Sequence, residues 1–206
     1  MRTLVIDSAT DACSVALFDA DTLLAGEYRL LGRGHAEALV PMIAALPDRG
    51  RADRIVVSLG PGSFTGVRVG LAATKALALA WGSDLLGYPT LALIAAQARA
   101  QRGAQPVSVC MTGGHGEWFV QDFGADGLPA SALASLTPAA AASTATYPLV
   151  AGSQAEALVA ARASGEGLAL LPDARCFALL PAALLSTDVA PLYGRPPDAK
   201  LPEKRT

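Results

Sequence analysis

The chain has 206 residues, a formal net charge of −2, 52% hydrophobic and 17% charged residues, and a mean hydropathy of +0.38. Strong autonomous nucleic-acid binding is excluded, because phosphate contacts need clustered Lys and Arg and the basic cluster present is Lys204-Arg205 in the tail. The charged fraction is below the roughly 25% of an average globular domain, which has two readings: alanine usage set by a GC-rich genome, or apolar surface that another subunit covers.

Three widely spaced cysteines, Cys13, Cys110 and Cys176, without C-x-x-C spacing, exclude a disulfide framework or a standard zinc site and predict a reducing, cytoplasmic setting. The opening M-R-T-L-V-I-D runs straight into a predicted strand, so no signal peptide is expected. The apolar stretch from Leu71 to Trp81 is too short to span a bilayer.

Thr3 to Asp7 is a short apolar run that predicts a buried strand, and Ser8 to Ala12 a turn. Ser14 to Asp19 and Leu23 to Leu30 predict the next two strands of a meander. His35 to Leu46 carries a helical stripe, Ala36, Leu39, Val40 and Ile43, in which Pro41 predicts a kink or a late effective start. Arg54 to Leu59 is a further buried strand, Gly60 to Phe64 a tight glycine loop, and Thr65 to Trp81 a long helix. Asp84 to Tyr88 predicts a strand, with Thr90 as cap of a helix running to about Gln101.

The break at Gly103 to Pro106 predicts a domain boundary, dividing the chain into an N-terminal α/β domain, 1–103, and a smaller C-terminal one, 104–206. In the second, strands are predicted at Val107 to Met111, Trp118 to Phe123 and Leu168 to Leu171. Helices are predicted at Gln154 to Ala163 and near Phe177 to Leu185. The Ala/Ser/Thr-rich run from Leu136 to Thr146 predicts a loosely packed surface segment, and the tail from Pro191 an irregular one.

Several chemistries lack their residues. The two histidines, His35 and His115, are far apart in the chain, and His35-Ala36-Glu37 has no following P-C-x-x-C, so no metal site and no cofactor are expected. No serine stands in a G-x-S-x-G elbow. The loop Gly60-Pro61-Gly62-Ser63-Phe64-Thr65-Gly66 could cradle an anion with free N–H groups, but no Gly-Lys-Ser/Thr follows and the third glycine falls one residue late for a dinucleotide fingerprint. The favoured reading of Gly60, Gly62, Ser63 and Thr65 is a tight turn in which Ser63 or Thr65 caps the helix.

That helix is apolar nearly all round. Gly66, Gly70, Ala73 and Leu77 lie on one side, where small residues admit another backbone, and Val67, Leu71, Ala76, Leu79 and Ala80 fill the rest. One side must face a sheet, and the other a second helix or another chain.

Taken together, D-S-A-T-D-A-C-S-V-A-L-F at 7–18, G-R-G-H-A-E-A-L-V-P-M-I at 32–43, G-P-G-S-F-T-G-V-R-V-G-L at 60–71 and P-L-Y-G-R at 191–195 closely resemble the TsaB (YeaZ) family. The resemblance implies an ASKHA (actin/Hsp70-like) α/β fold of two halves with central mixed sheets. It implies a non-catalytic relative of TsaD that pairs with it through helices and supports threonylcarbamoyl transfer to A37 of tRNAs reading ANN codons. A TsaE-like ATPase is then expected in a larger complex, with a homodimer when the chain is alone. Carried over by position, the partner interface is His35, Leu39, Ile43, Gly66, Gly70, Ala73 and Leu77. Asp7 and Thr10 take the place of the first phosphate-binding turn of active ASKHA proteins, with closure of a hairpin as their expected role. The family's Asp-Ala-Arg-x-x-Glu-x-Tyr stretch is replaced here by Thr112-Gly113-Gly114-His115-Gly116-Glu117-Trp118-Phe119, which keeps Glu117 and loses the acid and the arginine. The competing readings are an active ASKHA-type ATPase or kinase and an M22-type metallopeptidase.

Overall fold

The structure, a computed structural model, describes residues 1–194. The predicted irregular tail beyond Gly194, with Arg195 of the last motif and Lys204-Arg205, lies outside the described residues.

Two five-stranded mixed sheets carry the chain. The first is built from β1 (Arg2–Asp7), β2 (Ala12–Asp19), β3 (Thr22–Leu30), β4 (Arg54–Ser58) and β5 (Asp84–Tyr88), ordered β3-β2-β1-β4-β5. Its helices are α1 (His35–Ala45), α2 (Phe64–Trp81) and α3 (Thr90–Arg102). The second contains β6 (Val107–Thr112), β7 (Trp118–Phe123), β8 (Ala134–Leu136), β9 (Leu149–Ala151) and β10 (Glu166–Leu168), with α4 (Pro138–Thr144) and α5 (Ala155–Arg162). Its order, read from the β8 edge as β8-β7-β6-β9-β10, repeats that of the first sheet position by position: two antiparallel pairs, then two parallel ones. The halves are topological copies, in which α4 and α5 stand where α1 and α2 do.

Side-chain alternation along the strands sets the layers. Leu4 and Ile6 of β1 face α1 and α2, in a core with Leu39, Met42, Ile43, Val67 and Leu71. Val5 points the other way, into a core shared by α3 and the second sheet, with Val107, Val109 and Met111 of β6. Cys110, between them in sequence, faces α4 and α5 with Ala141, Ala155 and Leu158. The order of layers is α1/α2, first sheet, α3, second sheet, α4/α5. The helix enclosed on all sides is therefore α3, buried from Thr90 to Ala98.

Local differences from the sequence reading have local causes. Thr90 is not a cap, because Pro89 occupies that position and the Thr90 hydroxyl pairs with Ser58 at 2.6 Å. Helix α1 runs through Pro41, which is exposed on its outer side. The Leu136–Thr146 run is ordered: Thr137 caps α4 by accepting from the Ala140 N–H, and Ala141 is fully buried. The helix expected near Phe177–Leu185 is two 3-10 turns, Ala174–Leu179 and Ala182–Leu184, separated by Pro181. The expected last strand ends at Leu168.

After β10 the chain returns to the first half. Ala174–Leu179 packs on the first sheet, where Ala174 N–H donates to Ser14 Oγ at 2.9 Å, and Ser186 pairs with Gly87 through two 2.9 Å backbone hydrogen bonds.

Candidate functional site

Two features stand out: a cleft between the halves and an uncovered helical face. The cleft holds about 620 Å³. Its walls are the repeated parts of the two halves. From the first come the β1–β2 turn (Ala9, Thr10, Asp11) and the entry to α2 (Gly62, Ser63, Phe64, Val67, Arg68). From the second come the β6–β7 turn (Gly113, Gly114, His115) and the residue before α5's entry, Ser153.

The glycine loop is shaped by close approach to its own chain. A Cβ on Gly62 would overlap the Ala9 carbonyl, and Gly60 has φ +96°, a conformation that favours glycine. Ser63 caps α2, its Oγ accepting from the Gly66 N–H at 3.2 Å, while Thr65 is exposed. The capping role falls to Ser63.

Asp7 ends β1 and is wholly buried. Its Oδ1 accepts from the Ala9 N–H at 3.0 Å and its Oδ2 from the Tyr88 hydroxyl at 2.8 Å. Burial pushes its carboxyl up to about 6, against the pull of the hydrogen bonds from Ala9, Tyr88 and Ser58, and Asp173 adds to the rise. Thr10 Oγ1 accepts from the Ala12 N–H at 3.3 Å. Both side chains close the β1–β2 turn. Across the cleft Glu117 accepts from Ser135 Oγ at 2.6 Å, and Thr112 bonds Ser153 and Gln154. Among the described residues no group of three His, Cys, Asp or Glu side chains converges to hold a metal.

The residues expected at a partner interface divide sharply. His35 is buried, its Nε2 2.8 Å from the Thr10 carbonyl and 3.3 Å from that of Ala12, where it braces the β1–β2 turn. Leu39 and Ile43 are core residues beneath α1. Gly66 and Gly70 do admit a close neighbour, but it is Ser8 of the same chain: a Cβ on Gly66 would overlap the Ser8 carbonyl, and one on Gly70 would lie 2.5 Å from Ser8 Oγ. These five residues face inward, because α1 and α2 use their most regular apolar and small-residue stripe to seat on the sheet. Ala73 and Leu77 are half-buried at the margin.

The open side is carried by residues the sequence reading ranked lower. On α1 it is Ala36, Val40 (57% exposed), Pro41 and Ala44; on α2 it is Ala72, Ala76, Leu79 (88% exposed) and Ala80. The signal was present as the i, i+4 series Phe64, Arg68, Ala72, Ala76, Ala80, complementary to the buried stripe. At its cleft end the Arg68 guanidinium lies 3.2 Å from the Phe64 ring centroid and donates to the Tyr193 hydroxyl at 2.8 Å. The pairing of Arg68 with Tyr193 joins residues 125 positions apart and has no local sequence signal. No helix among the described residues is long and apolar enough to cross a membrane.

Comparison with known proteins agrees with this geometry. Residues 29–174 match the family model described as "TsaD: tRNA N6-adenosine threonylcarbamoyltransferase". The chain is 35% identical over 131 residues to the tRNA threonylcarbamoyladenosine biosynthesis protein TsaB of Escherichia coli, covering 61% of this chain and 56% of that protein. The match thus spans about half the length of that relative. A crystal structure from Pseudomonas aeruginosa, described as an uncharacterized protein with similarity to peptidase YeaZ, superposes with TM-score 0.78 at 27% identity, covering 94% of this chain and 99% of that one. The ethanolamine utilization protein EutJ of Carboxydothermus hydrogenoformans shares the fold at TM-score 0.52 and 12% identity, with 88% and 90% covered. The two-sheet architecture is that of the actin/Hsp70-like ASKHA proteins. The chain belongs to the TsaD family of tRNA N6-adenosine threonylcarbamoyltransferase relatives, among its TsaB (YeaZ) members.

Proposed function

We propose that this chain is a non-catalytic partner subunit that docks on a TsaD-like catalytic subunit and supports threonylcarbamoyl transfer to A37 of tRNAs reading ANN codons. The observation that carries the reading is the open apolar face of α1 and α2, with Val40, Pro41, Ala72, Ala76 and Leu79 turned to solvent. Exposed helical surface of this kind is costly in water and gains free energy when a second helix pair covers it. Names of relatives, TsaB and the TsaD family, supply the reaction.

The silent role draws support from the site's carboxylates. Asp7, the acid in the active-site position, is fully buried, with both oxygens engaged by Ala9 and Tyr88. Glu117 is likewise engaged, by Ser135. With a net charge of −2, tRNA is held by the catalytic partner, and a TsaE-like ATPase joins the larger assembly. The same self-complementary face suits a two-fold homodimer when the partner is absent.

The test is co-purification with the catalytic subunit of the same organism, comparing the parent chain with Ala76→Arg and Leu79→Arg. Loss of pairing with unchanged folding is expected. Retained pairing by both variants would refute the docking face. The isolated chain should hydrolyse ATP with Mg²⁺ no faster than background, and stoichiometric zinc or iron in the purified protein would instead favour the peptidase reading.

A further inference from the structure

The segment from Ser186 to Gly194 belongs to neither half and touches both. It starts on the first half, where Ser186 pairs with Gly87 beyond the edge of β5. Val189 packs against the α1/α2 core, and the Leu192 N–H donates to the Leu59 carbonyl at 2.7 Å, beside the glycine loop. Tyr193 then reaches Arg68, accepting its hydrogen bond at 2.8 Å, with its ring 6.4 Å from that of Phe64. One residue later the chain is on the second half: Gly194 lies so close to the Phe119 ring of β7 that a Cβ there would overlap it. Leu192, Tyr193, Gly194, Phe64, Arg68 and Phe119 all line the cleft. The segment is therefore a strap across the cleft's mouth, anchored on one half and resting on the other.

Its fastening is asymmetric. The anchor at Ser186 and Gly87 is a paired backbone bridge, whereas the crossing depends on the Leu192–Leu59 backbone hydrogen bond, the Arg68–Tyr193 hydrogen bond with its aromatic stack at the surface, and the contact of Gly194 with Phe119. Tyr193 is 55% exposed and Phe64 is 64% exposed. Contacts of this kind are few and solvent-accessible, which places such a segment at the low-stability end of a fold, able to open locally while the core stays intact. The chain otherwise crosses between the halves at 103–106 and 169–173, the second of which lines the cleft through Leu171.

We infer that residues 186–194 form a latch that sets the opening between the two halves, with Arg68 as the catch that grips Tyr193. While the stack is closed, the two cleft walls are held at their present separation. When it opens, the halves stay joined through their shared α3 core, and the second half can pivot about that core so that the cleft mouth widens. The catch sits at the N-terminal end of α2, on the same side as the uncovered face, so the state of the latch is accessible from that face.

The test places spin labels on opposite halves, at Asp11→Cys and Glu156→Cys, both exposed, in the 206-residue chain carrying Cys176→Ala; Cys13 and Cys110 are buried. Pulsed dipolar spectroscopy then reads the distance between halves, and hydrogen exchange reads the Leu192 N–H. In the parent, one narrow distribution and a protected Leu192 amide are expected. Tyr193→Ala and Gly194→Val should broaden or lengthen the distribution and speed Leu192 exchange at least tenfold, with Tyr193→Phe in between because it keeps the ring and loses the hydroxyl. A chain ended after Gly194 should behave as the parent, and one ended after Val189 as Tyr193→Ala. The inference is overturned if Tyr193→Ala and Gly194→Val keep the parent distribution. It is equally overturned if Tyr193→Ala abolishes cooperative unfolding, because the strap is then part of the core.

Discussion

The Ser8 hydroxyl donates to the Gly66 carbonyl at 2.8 Å, and the Ser8 carbonyl lies where a Gly66 Cβ would be. This contact locks the first turn of α2 onto the end of β1, and with it the glycine loop onto the β1–β2 turn. It also explains why the small residues of α2 serve the chain's own fold. Gly66→Ala should destabilise by about 2–4 kcal/mol, because a backbone carbonyl cannot swing aside as a flexible side chain does. Urea denaturation with an unchanged m-value checks this, and a loss under about 0.5 kcal/mol would show that the contact yields.

Gly70→Arg, by the same geometry, damages the fold before it reports on any partner, since its Cβ would meet Ser8 Oγ at 2.5 Å and Val57 at 3.5 Å. The informative substitutions are Ala76→Arg and Leu79→Arg. Both sites are exposed, so stability should stay within about 0.5 kcal/mol of the parent while pairing falls at least tenfold in a binding titration.

Leu39→Ala separates the two faces of α1. Leu39 is fully buried beneath the helix, so its truncation should cost about 2–5 kcal/mol. Partner affinity measured well below the melting temperature should be almost unchanged. A large affinity loss in folded protein would return Leu39 to the interface.

Asp7 should make stability depend on pH in the direction opposite to a salt-bridged carboxylate. Burial raises its folded value to about 6 from the ordinary 3.8, so between about pH 4 and pH 6 the native state binds more proton than the unfolded chain. Stability contributed by this group is then greatest below that window, falls as pH rises through it, and stays low above. The difference is about 1–3 kcal/mol. Asp7→Asn should remove this slope and stabilise the chain at pH 7.5. Thermal unfolding of both proteins from pH 4 to 8 decides the sign, and an Asp7→Asn chain that is less stable at pH 7.5 contradicts it.

A buried polar knot holds the second half together. Ser108 Oγ donates to Asp122 Oδ1 at 2.6 Å and accepts from the Tyr147 N–H at 3.0 Å, while Asp122 Oδ2 accepts from Thr146 N–H at 3.2 Å. Ser108→Ala leaves a buried carboxylate oxygen and an amide short of a partner. The expected cost is about 1–3 kcal/mol, with faster hydrogen exchange confined to the 145–148 loop. Unchanged exchange there would show that the loop is held by other contacts.

Local pattern alone was enough for the first half. The meander, the buried strand Arg54–Ser58, the capped helix after the glycine loop and the strand before Pro89 all follow from apolar runs, turn residues and 3.6-residue periodicity, whose causes lie within a few residues of chain. The second half was less legible. Its alanine-rich helix α4 carries almost no polar contrast, and its strands β8, β9 and β10 have three residues each, too few for alternation to register.

The amino-acid sequence by itself determined that α1 and α2 carry more apolar surface than one sheet covers, and which motifs place the chain in its family. Only the tertiary structure decided which stripe of each helix is spent inside. Leu39, Ile43, Gly66 and Gly70 meet Ser8 and the first sheet, leaving Val40, Ala76 and Leu79 outward. Periodicity records that a helix has faces. Which face turns inward depends on strands that pack against it from distant parts of the chain, as does the meeting of Arg68 with Tyr193, and that information exists only once the chain has folded.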